Sequence, residues 1–180
     1  MWPLRRRARL PRSARNVAAD DGLIGLIDRE LARAASGSGS TILIVRSRDL
    51  DVVRAAAVCW ARTHRRRFPG GVFYLEVARF LVPHGHDVRS MVTVLLRALG
   101  VRRRSVPCDY SAAVSMYRHR TATLSTLIVV DGAVEPAVVR ALVPNAAGSV
   151  VLATSRHGLS SLVVDSARFI DYGGAGAQPS

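Results

Sequence analysis

The chain has 180 residues, 49% hydrophobic and 22% charged, enough for one domain with a proper core and ordinary for a globular protein rather than a disordered one. All 26 basic residues are arginine, set against 13 acids, and the formal net charge is +13. No apolar run approaches the roughly 20 residues that span a bilayer, and the two cysteines, Cys59 and Cys108, are too far apart to suggest a disulfide framework and fit a reducing cytoplasm.

Residues 1–19 are arginine-rich and aperiodic, and are expected to form a mobile basic arm. The start resembles the charged head of a signal peptide, but Pro11, Arg12, Arg15, Asp20 and Asp21 interrupt any apolar stretch, so export is not expected. Asp20 or Asp21 then offers an N-cap, and Leu23, Ile24, Ile27 and Leu31 recur at helical spacing, predicting a helix to about Ala35. Ser36 to Ser40 alternates serine and glycine and is expected to turn. Thr41 to Val45 is apolar and rich in β-branched residues, the mark of a strand buried on both faces.

Asp49 or Asp51 can cap a second helix through Val52, Val53, Ala56, Ala57 and Trp60, ending in Arg65, Arg66 and Arg67, whose charges suit the negative end of a helix dipole. Pro69-Gly70-Gly71 turns the chain into a second strand, Val72 to Val77. Asp87 is predicted to cap a helix through Met91, Leu95 and Leu99 that Gly100 stops, and another helix is expected from about Asp109 to Arg120. Strand three is Thr126 to Asp131, a short helix follows Pro136 and breaks at Pro144, strand four is Ser149 to Thr154, and a fifth is Arg168 to Asp171. A disordered tail is expected over 173–180.

Strands alternating with helices imply a parallel sheet of about five strands covered on both faces, a three-layer α/β domain over 20–172. In such sheets ligands sit outside the carboxyl ends of the strands. Arg46, Glu76, Asp131 and Arg156 all fall at or just after those ends.

From Trp60 to Leu162 the chain resembles the NB-ARC nucleotide-binding domain of the signal-transduction ATPases, in the version found in bacterial multidomain transcriptional regulators. The matching stretches are Arg67-Phe68-Pro69-Gly70-Gly71 leading into Phe73-Tyr74-Leu75-Glu76-Val77, then Leu95 to Val101, Val106-Pro107 and Tyr117-Arg118. The strongest come last: Leu127 to Ala133, Leu142-Val143-Pro144 and Val151 to Arg156. The resemblance implies a P-loop NTPase-type sheet holding ADP or ATP at the end of the first strand. It implies that Asp131 stands where the family's Walker B aspartate helps hold Mg²⁺, should nucleotide bind, and that Arg156 matches the sensor arginine near the γ-phosphate. A carboxylate for a hard cation and a guanidinium fork for phosphate oxygens also make chemical sense.

The phosphate loop departs from that pattern. Aligned without gaps it falls on Ser47 to Ala55, where Val53 takes the lysine position and Arg54 the Mg²⁺-binding Ser/Thr position. No glycine occurs between Thr41 and Phe68, although a phosphate nest needs residues at positive φ. Lysine, glycine and hydroxyl fail together, so NTP hydrolysis is not expected, and a degenerate Walker A loop is. Ser47, Arg48 and Arg54 remain as residues that could contact a phosphate.

Among the other constellations, His84-Gly85-His86-Asp87 looks like a metal-binding fragment but has no further ligand group, and Asp87 is better used as a cap. Cys108 is expected as a small buried hydrophobe, and Trp60, Met91 and Met116 as core. Arg102 to Arg104 is most simply a solvated loop, able to join Arg65 to Arg67 in a basic face if the fold brings them close. The expectation is a cytoplasmic regulatory or scaffolding module that binds a protein partner or itself, with residual ADP/ATP affinity. Nucleic-acid association through the arginine clusters is the alternative, an active ATPase ranks last, and no membrane association is expected.

Overall fold

In the computed structural model, which describes residue 10 and residues 20–34 and 39–173, five parallel strands form one sheet. They are β1 (Thr41–Arg46), β2 (Gly71–Glu76), β5 (Thr126–Asp131), β6 (Val150–Ser155) and β7 (Arg168–Asp171), in the spatial order β2-β5-β6-β1-β7. Two residue pairs, β3 (Leu81–Val82) and β4 (Gly85–His86), make a small antiparallel hairpin. The helices are α1 (Asp21–Ala34), α2 (Leu50–Thr63), α3 (Val88–Ala98), α4 (Tyr110–Arg120) and α5 (Pro136–Ala141).

Side chains alternate across a strand, so each central strand feeds two cores. Leu43, Val45, Leu127, Val129 and Leu152 point to one face, where they meet Leu23, Ile27 and Leu31 of α1 and Val53, Ala56, Ala57 and Trp60 of α2. Ile42, Ile44, Ile128, Val130, Val151 and Ala153 point to the other, under Met91, Leu95 and Leu96 of α3, Tyr117 of α4 and Val138 and Val139 of α5. This is a three-layer α/β arrangement of the P-loop-like kind, as the alternating pattern predicted. Trp60 is fully buried and donates its indole N–H to Asp28 Oδ1 at 2.7 Å, tying α2 to α1.

Several local expectations shift. Asp20 caps α1 by accepting from the Leu23 amide at 2.9 Å, and Asp49, not Asp51, caps α2. The second helix does not run into the arginines: it ends at Thr63, and Arg65–Arg67 form a 3-10 turn whose Arg67 amide reaches only as far back as the His64 carbonyl. β2 stops at Glu76, because Val77–Phe80 turn into a 3-10 segment, and β6 is displaced by one residue from the expected Ser149 to Thr154. Cys108 is exposed rather than buried, lying in the loop before α4 where its carbonyl accepts from Arg89 Nε at 2.8 Å. Apart from Leu10, which packs beside the α1–α2 core, the expected arm lies outside the described residues, as do residues 174–180 of the expected tail.

Candidate functional site

The carboxyl edge of the sheet is where β1 hands over to α2. Three residues make that connection. Ser47 donates its amide to the Ser155 carbonyl at 3.0 Å, and its hydroxyl accepts from the Asp49 amide at 3.1 Å. Asp49 is extended (φ −94°, ψ 94°), and its Oδ1 accepts from the amides of Asp51 at 3.0 Å and Val52 at 3.3 Å. These are first-turn N–H groups, the donors with which a helix N-terminus holds an anion. A carboxylate of the chain itself already takes them. No residue of the connection has positive φ, so its amides do not curl into a nest.

Asp131 ends β5 beside this turn, with its side chain 1% accessible. Its Oδ2 accepts from Arg54 Nε at 2.5 Å and from the Tyr74 hydroxyl at 2.5 Å, and its Oδ1 accepts from Thr154 Oγ1 at 2.8 Å. The Thr154 hydroxyl in turn accepts from the Gly132 amide at 3.0 Å, where Gly132 takes a left-handed turn (φ 74°). The other end of the Arg54 fork meets Asp51 Oδ1 at 2.6 Å through Nη1. Burial alone would lower the Arg54 pKa, but the hydrogen bond and charge of Asp131 outweigh it and hold the guanidinium above its ordinary value. Burial, and next the bond to Asp131, push the Tyr74 phenol well up, so it stays a donor. A cation, two hydroxyls and a carboxylate thus form a closed network in which every Asp131 oxygen has a partner.

The remaining sequence-predicted residues divide. Arg54 and Asp131 come together; Ser47 lies at the turn but serves the backbone of Asp49. Arg48 and Arg156 are exposed and make no ion pair among the described residues. Arg46 is engaged elsewhere, pairing with Asp171 Oδ2 at 2.5 Å and lying 4.7 Å from the Phe169 ring centre. Asp87 caps α3 through the Ser90 amide at 2.9 Å, and His86 Nδ1 lies 3.0 Å from Glu135 Oε1. No group of three metal-ligating side chains occurs among the described residues.

Sequence reasoning missed Tyr74 and Thr154. Their signal was strand parity: Tyr74 lies on the side of β2 that packs with the α1–α2 core, and Thr154 is two residues beyond Leu152 of that core. Asp131 is two residues beyond Val129 on the same face. Only the pairing of β2 and β6 on either side of β5 brings the three together.

The fold is an α/β domain with a five-stranded parallel sheet of the P-loop-like kind. In sequence the chain is similar to the regulatory protein AfsR of Streptomyces griseus, 31% identical over 130 residues, which are 69% of this chain and 13% of that protein. It therefore spans only a small part of the length of the relative it matches, and the relation is to a regulatory protein. No protein-family model matches the chain. Among the described residues no helix is long and apolar enough to cross a membrane.

Proposed function

We propose that this chain is a regulatory or scaffolding module of signalling or transcriptional control, with an NB-ARC-like fold whose nucleotide place is filled by its own side chains. The observation that carries the reading is the Arg54 Nε to Asp131 Oδ2 pair at 2.5 Å. In a P-loop enzyme that carboxylate helps hold Mg²⁺ and a Ser/Thr stands at the start of the helix. Here the guanidinium takes the carboxylate directly, and Asp49 takes the amides that would face phosphate. Cation and anion positions are both satisfied internally, so the donor set does not fit Mg²⁺-nucleotide without breaking the pair and displacing the cap. The similarity to a regulatory protein supports the broader role.

What such a module retains is its surface for proteins. Its association state, with itself or a partner, then does not depend on nucleotide. Sedimentation velocity of the full chain, with and without saturating Mg²⁺-ATP, tests this. The same distribution of species in both conditions is expected. A nucleotide-dependent shift would contradict it, because it would require differential affinity of ATP for two states.

A further inference from the structure

The opposite end of the sheet carries the charge that the closed edge does not explain. β2 begins at Gly71, after the short Phe68-Pro69-Gly70 link that follows the 3-10 turn Arg65–Arg67, and Ser125 Oγ bonds the Arg67 carbonyl at 3.1 Å just before β5 begins. α3 and α4 run side by side in the same direction, since Arg89 near the start of α3 donates to the Pro107 and Cys108 carbonyls just before α4. α4 leads into β5, so both helices end at the amino edge of the sheet. The fold therefore brings Arg97 and Arg102–Arg104 to the same edge as Arg65–Arg67, one cluster under each helical layer. All of these arginines are exposed.

Helix-end charge balance does not account for them. One arginine suffices for a helix dipole, whereas both triplets lie beyond the ends of α2 and α3. The carboxylates of α1 that approach this end are engaged elsewhere: Asp28 with Trp60 and His64, Glu30 with Arg33 and Arg168. The acids collect at the other end instead, with Asp49, Asp87, Asp109 and Asp131 at helix starts or a strand's carboxyl terminus. No ion pair to a carboxylate is formed by either triplet or by Arg97 among the described residues. The edge also has a concave element, a groove lined by Val94, Ala98, Gly100 and Val101 with Arg97, Arg102 and Arg103 on it.

We propose that this amino-edge surface binds the phosphate backbone of nucleic acid, with Arg97, Arg102 and Arg103 clasping phosphates in the groove and Arg65–Arg67 extending the track. Guanidinium forks match phosphate oxygens in pairs, and several unpaired ones spread along one edge suit a repeating polyanion. An acidic protein would also be attracted. A protein interface, however, is anchored by a central apolar cluster, and the most exposed large hydrophobics, Leu81, Val163 and Val164, come from the hairpin and the β6–β7 connection instead. The inference stands apart from the nucleotide reading and concerns the other end of the domain.

The test is fluorescence-anisotropy titration of the full chain with a labelled DNA duplex across a salt series. The variants are the triple Arg97→Gln, Arg102→Gln, Arg103→Gln and, as a control at the opposite edge, Arg48→Gln with Arg156→Gln. A third variant replaces the arginines of residues 1–19 with glutamine, removing the arm's own attraction. Affinity should fall linearly with the logarithm of salt, with the magnitude of the slope about 2–3 smaller in the groove variant, at roughly 0.9 per lost phosphate contact. The control should match wild type, and the arm variant should retain most of the slope. Circular dichroism of the exposed-residue variants confirms folding. The proposal is overturned if the groove variant keeps the wild-type affinity and slope, if arm neutralisation abolishes binding, or if polyglutamate displaces duplex as well as unlabelled duplex does.

Discussion

Replacing Arg54 by methionine keeps an unbranched apolar stem on α2 as far as about the Nε position but removes the guanidinium, leaving Asp131, 1% accessible, with only Tyr74 and Thr154 as partners. Removing one member of a fully buried pair costs about 3–5 kcal/mol, because the other charge stays behind. Arg54 is 35% accessible at its side chain, so water can reach the vacated place and the cost must be discounted toward the exposed-pair range. The expected loss is about 2 kcal/mol, a drop in Tm of roughly 4–8 °C for a chain of this size. Asp131→Asn should cost less, since the amide still accepts at one oxygen. Added to Arg54→Met it should produce little further loss, a coupling of about 1–2 kcal/mol. Urea unfolding of wild type, both single variants and the double variant measures all four corners. High salt should leave the coupling largely intact, because ions screen a buried pair poorly. A loss below about 0.5 kcal/mol for Arg54→Met, with coupling near zero, would mark an ordinary surface ion pair and refute the closed network.

Gly70→Ala should destabilise by about 1–3 kcal/mol in thermal melts, because a Cβ there would stand 2.4 Å from Thr126 Oγ1 and 2.7 Å from the Leu124 carbonyl. Trp60→Ala should cost about 3–5 kcal/mol, since the fully buried ring also holds α1 through Asp28; a loss under about 1 kcal/mol would show that the two helices do not depend on it. The hydrogen bond to Asp20 pushes the Tyr172 phenol up to about 12. A raised folded pKa means that the stability from this contact is present below the unfolded value, about pH 10, and is lost between there and about pH 12. On the acid side, the same bond lowers Asp20, so its contribution is present above the ordinary carboxylate value of 3.8 and lost as pH falls through the lower folded value. Spectrophotometric titration should show a tyrosine titrating near pH 12, apart from Tyr74 and Tyr117 that burial pushes higher still, and this one should revert toward about pH 10 in Asp20→Asn; no change on that substitution would remove the contact.

The layers of this fold were legible because their signals are local. The apolar run Thr126 to Asp131 is buried along its whole length and became β5 with the expected ends. Asp87 capped its helix as expected, and Asp109, where the next helix was expected to start, turns out to cap it, each by accepting from an amide three residues on. The β3–β4 hairpin was not foreseen: two-residue strands carry no period, and the turn depends on Gly85 at φ 128°. Cys108 misled because small size suggests burial, whereas its exposure follows from a loop held by its backbone carbonyl. At the site, the sequence singled out Asp131 and Arg54 for contact with a nucleotide, but not for contact with each other across 77 positions. Strand order decides that pairing, and it is a long-range property that periodicity does not encode.

On the proposed reading, Asp49 and Arg54 fill the places that phosphate and metal would take. Calorimetric titration of the full chain with Mg²⁺-ADP and Mg²⁺-ATP, at about 0.15 M ionic strength where nonspecific attraction is damped, tests it most directly. No saturable heat is expected in wild type or in Arg156→Ala. Saturable one-to-one binding that Arg156→Ala or Asp131→Ala weakens would contradict it, showing that the carboxyl edge opens to hold nucleotide after all.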